Sequence, residues 1–100
     1  MRLRKTAIAE QDLLGNWEYI AQDSTAAADR MWQRFAERFQ LLLRYPYSGE
    51  AQDRYRPGLR SVTEGKYIIF YEPRPGEIVI HRVLHGARRW EDLLSSEEVP

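Results

Sequence analysis

One hundred residues with no cysteine, zero net charge at pH 7 and 43% hydrophobic residues suit one domain, residues 1–100, able to bury a core without disulfide staples. No run approaches the roughly 20 apolar residues that span a bilayer, and no apolar segment of signal length follows the basic start Met1-Arg2-Leu3-Arg4-Lys5. Membrane-spanning and disulfide-stapled classes are thereby excluded, and the cytoplasm is the expected compartment.

The zero net charge hides an uneven layout. From Glu10 to Asp53 there are eight acids against four arginines, a balance of minus four. From Arg54 to Arg89 there are eight bases against three acids, a balance of plus five. Thirteen of the fifteen bases are arginine, the residue suited to planar contact with carboxylate or phosphate. One reading is an ordinary solvated surface; the sharper one is a docking surface for an acidic partner or nucleic acid.

In chain order, Arg2 to Ile8 reads as a short first strand. Ala9 to Gln22 reads as a helix, with Leu13, Leu14, Trp17, Ile20 and Ala21 on one side at helical spacing. Gly15 weakens that helix by about 1 kcal/mol relative to alanine, which suggests close approach by another element. Asp23-Ser24-Thr25 offers three candidate helix caps. A second helix then spans Thr25 to Arg44, with Ala28, Met31, Trp32, Phe35, Phe39, Leu42 and Leu43 as its apolar stripe. So short a break between two amphipathic helices implies an antiparallel hairpin. Tyr19 and Leu41 fall off their stripes. Pro46 ends the second helix, and residues 50–58 form a polar loop, the segment expected to be most mobile.

Three strands follow: Leu59 to Thr63, Lys66 to Tyr71 and Glu77 to Leu84. The turns between them, Glu64-Gly65 and Pro73-Arg74-Pro75-Gly76, are short, so the strands make an antiparallel meander. In the middle strand, Tyr67, Ile69 and Tyr71 point one way and Ile68 and Phe70 the other. Both faces therefore need cover. The helical hairpin covers one face. The C-terminal helix, sheet curvature or another chain must cover the other, and apolar surface left bare favours a tight partner. The last strand breaks at His85-Gly86. A short helical pattern follows, with Trp90, Leu93 and Leu94 on one side. Arg82, His85, Arg88 and Arg89 gather at this turn.

Several of these stretches resemble the ParE/RelE superfamily of type II toxins. Ala9-Glu10-Gln11-Asp12-Leu13 is similar to the signature of the family's first helix. Pro46 to Gly49 resembles its linker. Arg56-Pro57-Gly58-Leu59-Arg60-Ser61 followed by Tyr67 to Tyr71 resembles its central hairpin. Val83-Leu84-His85-Gly86-Ala87-Arg88 is similar to the closing motif of the ParE branch. The resemblance implies an α+β fold: an N-terminal strand beside the last strand, a helical hairpin across one face, a three-stranded meander and a short C-terminal helix. It also implies a toxin neutralised by a ParD-type antitoxin and directed at DNA gyrase by binding, with no cofactor.

RNA cleavage of the RelE type is the alternative. It needs an acid, a base and cationic stabilisation of the phosphorane. Arginine is plentiful, but only His81 and His85 titrate near neutrality. No tyrosine follows Tyr71, so the late tyrosine of many RelE-type nucleases is missing. If the last strand is regular, His81 and His85 share a face and could pair. Otherwise His85 fixes the turn before Gly86 by hydrogen bonding, and His81 is a half-exposed strand residue. A superfamily member whose toxicity is lost is the third reading. No carboxylate and histidine spacing suits a metal. The candidates are therefore Arg82, His85, Arg88, Arg89 and Trp90 for the target, with internal ion pairing as the other role for Arg82 and Arg88. Tyr19, Leu41, Arg56 and Arg60 are the candidates for the antitoxin. The chain alone is not expected to read DNA sequence.

Overall fold

Thr6 decides where the first strand stops. Its backbone is extended and its side chain accepts a hydrogen bond from the Ala9 amide, the geometry of a helix N-cap. Strand β1 is therefore only Arg2–Lys5, and helix α1 begins early, at Ala7, and runs to Ala21. The computed structural model describes residues 1–87 and 90–94. Ser24 caps helix α2, which spans Thr25–Arg44 as the stripe predicts. Strands β2 (Glu50–Ala51), β3 (Arg60–Glu64), β4 (Tyr67–Arg74) and β5 (Glu77–His85) follow, then the short helix α3 (Trp90–Leu93).

The five strands form one sheet in the order β1-β5-β4-β3-β2. β1 runs parallel to β5, and the other pairings are antiparallel. The N-terminal strand thus lies beside the last one. β2 was not expected; it pairs Glu50 with Ser61 and Ala51 with Arg60 inside the predicted polar loop. β4 continues through Pro73 and Arg74, which shrinks the second turn to Pro75-Gly76. Beyond Tyr71 no β3 residue pairs with β4, and a strand flank of that kind tolerates proline's missing donor.

The hairpin packs on one sheet face. Leu13, Met31, Phe35, Phe39 and Leu42 meet Tyr67, Ile69, Tyr71, Ile78, Ile80 and Val83. On the other face Leu59, Phe70, Leu84 and Leu94 form a second cluster, closed by Tyr55, Trp90 and Leu93. Both faces of β4 are thus covered by the chain itself, the second through α3 and the loop before β3. The exposed apolar surface lies elsewhere. Leu14 (53% exposed) and Trp32 (45%) leave the stripes assigned to them. Each follows a buried residue, Leu13 or Met31, by one helical step of 100°. That step carries it past the buried arc to the outer seam of the hairpin. There the two line a shallow groove with Trp17, whose Nε1 donates to Asp29 at 3.1 Å. Gly15 is not a close-approach glycine either, since no atom lies within 4 Å of where its Cβ would stand.

Gly49 is the glycine that close packing requires. A Cβ there would lie 2.6 Å from the Tyr71 hydroxyl and 2.7 Å from the Ser61 carbonyl oxygen. The buried Tyr71 hydroxyl accepts from the Gly49 amide at 2.8 Å and donates to the Pro46 carbonyl at 2.9 Å. The linker leaving α2 is thereby clamped to the sheet.

Candidate functional site

The second half of β5 lies beside no β1 residue, because β1 ends at Lys5 opposite Ile80. A strand edge there would leave backbone groups unpaired. Helix α1 replaces the missing strand with side chains. Thr6 donates its hydroxyl to the His81 carbonyl at 3.1 Å, Asp12 accepts from the Val83 amide at 3.0 Å, and Asn16 donates to the Val83 carbonyl at 3.2 Å. Asp12 also accepts two bonds from Arg82, at 2.8 and 3.1 Å. Arg82 is only 7% exposed. It takes the internal ion-pair role and does not offer its side chain as a target-binding surface.

The strand is not regular at this point. Phe70 pairs with Arg82 but Tyr71 pairs with Ile80, so His81 is the extra residue of a bulge. The bulge reverses the alternation on which a histidine pair depended. His81 is 1% exposed, not half-exposed, and its Nε2 lies 3.0 Å from Glu72 Oε1. Arg74 donates to the same oxygen at 2.9 Å, and Arg56 lies 3.8 Å from it. Burial holds the His81 pKa below the ordinary imidazole value, against the opposing bond to Glu72. The ring is thus neutral near pH 7, with its proton on Nε2 toward the carboxylate. Burial raises the Glu72 pKa, but the bonds from Arg74 and His81 outweigh it and leave the carboxyl below its usual range.

His85 does fix the turn. Its Nδ1 accepts from the Ala87 amide at 3.0 Å, and the Gly86 amide donates to the Lys66 carbonyl at 2.8 Å. The imidazole stands edge-on to Tyr67, with centroids 5.3 Å apart, on the hairpin side of the sheet. His81 faces Glu72, whose place in the alternation of β4 puts it on the opposite side. The two histidines therefore form no acid–base pair.

The remaining candidates divide. Trp90 is half-buried against Phe70, with centroids at 5.3 Å, and Tyr55, at 5.7 Å, so it closes the second core. Arg88 and Arg89 lie outside the described residues. Arg56 is engaged with Glu72. Arg60 donates to the carbonyls of Gly49 and Tyr47 and lies over the Tyr47 ring. Both arginines hold the loop together and do not stand free for an antitoxin. Tyr19 (72% exposed) and Leu41 (45%) are available, but they lie toward opposite ends of the hairpin, roughly 15–20 Å apart along its axis at 1.5 Å per residue. Sequence reasoning missed Asp12, Asn16 and Glu72 as the side chains that organise this end of the sheet. The first two were signalled as polar residues beside the buried stripe of α1, and Asp12 also by its place in the stretch resembling the family's first-helix signature. Among the described residues no three or more His, Cys, Asp or Glu side chains cluster in a way that would hold a metal, and no helix is long and apolar enough to cross a membrane.

A helical hairpin on a five-stranded sheet, with Arg82, His81 and His85 held in its last strand, is the small α+β fold that the motifs imply. The chain belongs to the ParE toxin family of the type II toxin–antitoxin system parDE, whose sequence model matches residues 3–90. A solved structure of the chromosomal ParDE TA system from P. aeruginosa is similar in fold, with a TM-score of 0.71. Sequence identity is 23%, over 85% of this chain and 95% of that one. No curated protein matches the chain.

Proposed function

We propose that this ParE-family toxin acts in the cytoplasm by binding DNA gyrase, carries out no catalytic step and is neutralised by a ParD-type antitoxin. The observation that supports the non-enzymatic part is that the two histidines form no acid–base pair. His81 is buried against Glu72, and His85 spends Nδ1 on the Ala87 amide. General acid–base catalysis needs a group within hydrogen-bond reach of substrate, and a side chain that is 1% exposed does not supply it. The similarity in fold to a protein of a ParDE toxin–antitoxin system supports an antitoxin partner of the ParD kind.

The test is induction of the toxin without antitoxin, reading growth arrest, gyrase supercoiling and mRNA cleavage together. His85→Gln keeps an acceptor for the Ala87 amide but removes proton transfer. A nuclease using His85 should lose about 10²–10⁴-fold in rate, whereas a binding toxin should stay toxic. Arg88→Glu with Arg89→Glu should instead abolish toxicity with antitoxin binding retained, since reversed charge penalises docking. Loss of toxicity in a folded, antitoxin-binding His85→Gln protein would sink the binding mechanism.

A further inference from the structure

Gly15 lies in the interior of α1, where glycine weakens a helix by roughly 1 kcal/mol relative to alanine. Nothing packs against it, so no neighbour demands it. Its missing side chain instead leaves a trough open. Two open volumes, about 530 and 610 Å³, share Tyr19, Tyr67 and His85 as walls. The first extends to Gly15; the second extends to Arg34 and Lys66, over Ile20 and Met31.

The chemistry of this trough is one-sided. With Nδ1 of His85 accepting from the Ala87 amide, Nε2 is the ring's N–H donor. The hydroxyls of Tyr19 and Tyr67 have no protein partner among the described residues, and neither Arg34 nor Lys66 has an ion pair among them. Burial, with the Tyr19 phenol nearby, holds the Tyr67 pKa above the ordinary phenol value, so that hydroxyl stays a donor. The two carboxylates that line the trough are already consumed, Asp12 by Arg82 and Glu64 by Arg38 at 3.0 Å. Donors and free cations without a free carboxylate call for an anionic acceptor. The apolar floor calls for an aliphatic or aromatic neighbour beside it.

We infer that this trough receives an acidic, apolar-anchored segment of the antitoxin, with a carboxylate against His85 and Tyr67 and an apolar side chain over Gly15. The inference rests on the toxin–antitoxin reading above. A peptide is favoured over a nucleic-acid strand because the floor is apolar and the cations stand at one end only.

The experiment titrates the full-length toxin with its cognate antitoxin by calorimetry at low and high salt. Three variants accompany the wild type: Gly15→Leu, Arg34→Glu with Lys66→Glu, and the control Arg30→Glu, an exposed arginine of α2 that does not line the trough. Gly15→Leu should weaken binding by about tenfold or more while the melting temperature holds or rises. The double reversal should weaken it by about tenfold or more and flatten the salt dependence, and the control should stay within about threefold. A wild type that binds no antitoxin would refute the toxin–antitoxin reading itself. A wild type that binds, with Gly15→Leu and the double reversal binding equally well, would overturn the trough alone. A 20-nucleotide single-stranded DNA serves as the competing probe. If it and not the antitoxin lost affinity in both variants, the trough would be a phosphate site and the inference would fail.

Discussion

Breaking the Asp12–Arg82 pair should unfold much of the protein's stability while leaving its toxic action untouched once the charge is also removed. The side chains are 11% and 8% exposed, with contacts of 2.8 and 3.1 Å. Asp12→Ala strands a buried guanidinium, which costs about 3–5 kcal/mol. It also removes the acceptor of the Val83 amide, adding about 1–3 kcal/mol. Against a total of roughly 5–15 kcal/mol, the single variant should be marginal or unfolded. Asp12→Asn with Arg82→Met behaves differently. The amide oxygen still accepts from Val83, and no buried charge remains. Its cost should fall below the sum of the two single changes by about 2 kcal/mol or more, within the range of coupled contacts. Thermal melts give the cycle, at about 4–8 °C per kcal/mol for a domain of this size. Growth arrest by the double variant then separates structure from target contact. An Asp12→Ala melt within about 2 °C of wild type would refute the structural role, since a pair of this burial must register on that scale. A well-folded double variant without toxicity would return Arg82 to the target surface.

Other outcomes follow from the same packing. Phe35→Ala, in the core between hairpin and sheet, should cost about 3–5 kcal/mol in chemical denaturation; an unchanged midpoint would mean the stripe faces outward. Gly49→Ala should destabilise by about 1–3 kcal/mol through overpacking, because its Cβ meets a backbone carbonyl as well as Tyr71. Stability should also fall on acidification in two stages. Burial holds the folded His81 pKa below the ordinary imidazole value of about 6.5, so below that pH the unfolded chain binds the proton first, and stability drops until the folded-state pKa is reached. Glu72 has a folded pKa below 4.5, so its contribution is present above 4.5 and is lost as pH falls through the folded value. Melts of His81→Gln, which keeps a donor for Glu72, should lack the upper stage; retention of that stage would assign it elsewhere.

The elements were legible where local chemistry sets them. Ser24 caps α2 in an extended conformation, and Gly65 and Gly76 take the positive φ their turns require, so the hairpin and the meander follow from the sequence. The β1–β5 pairing was readable only through family resemblance, because no local signal places residue 2 opposite residue 77. The bulge at His81 was not legible. A strand with isoleucine and valine on both faces looks the same with or without an extra residue, and only the β4 register exposes it. Leu14 and Trp32 were misassigned for a related reason. Periodicity gives the centre of a buried arc, but its width depends on the neighbour, and the two helices lie side by side over a single sheet face.

Charge layout along the sequence left two readings open, and the structure adds a third use for it. The basic stretch from Arg54 to Arg89 read either as an ordinary solvated surface or as a docking surface. Most of its described members are instead engaged inside the fold: Arg56 and Arg74 around Glu72, Arg60 on loop carbonyls, Arg82 on Asp12 and Arg54 over Tyr55. Asp12 belongs to the acidic segment, seventy residues away from Arg82. Part of the charge asymmetry between segments is thus long-range pairing that closes the fold. The cation left free on the described part of this stretch is Lys66, and the hairpin brings Arg34 to the same trough. On the inference above, an acidic antitoxin segment meets this stretch in the groove between the hairpin and the β3–β4 turn, where Lys66 and Arg34, without an ion pair among the described residues, stand over an apolar floor.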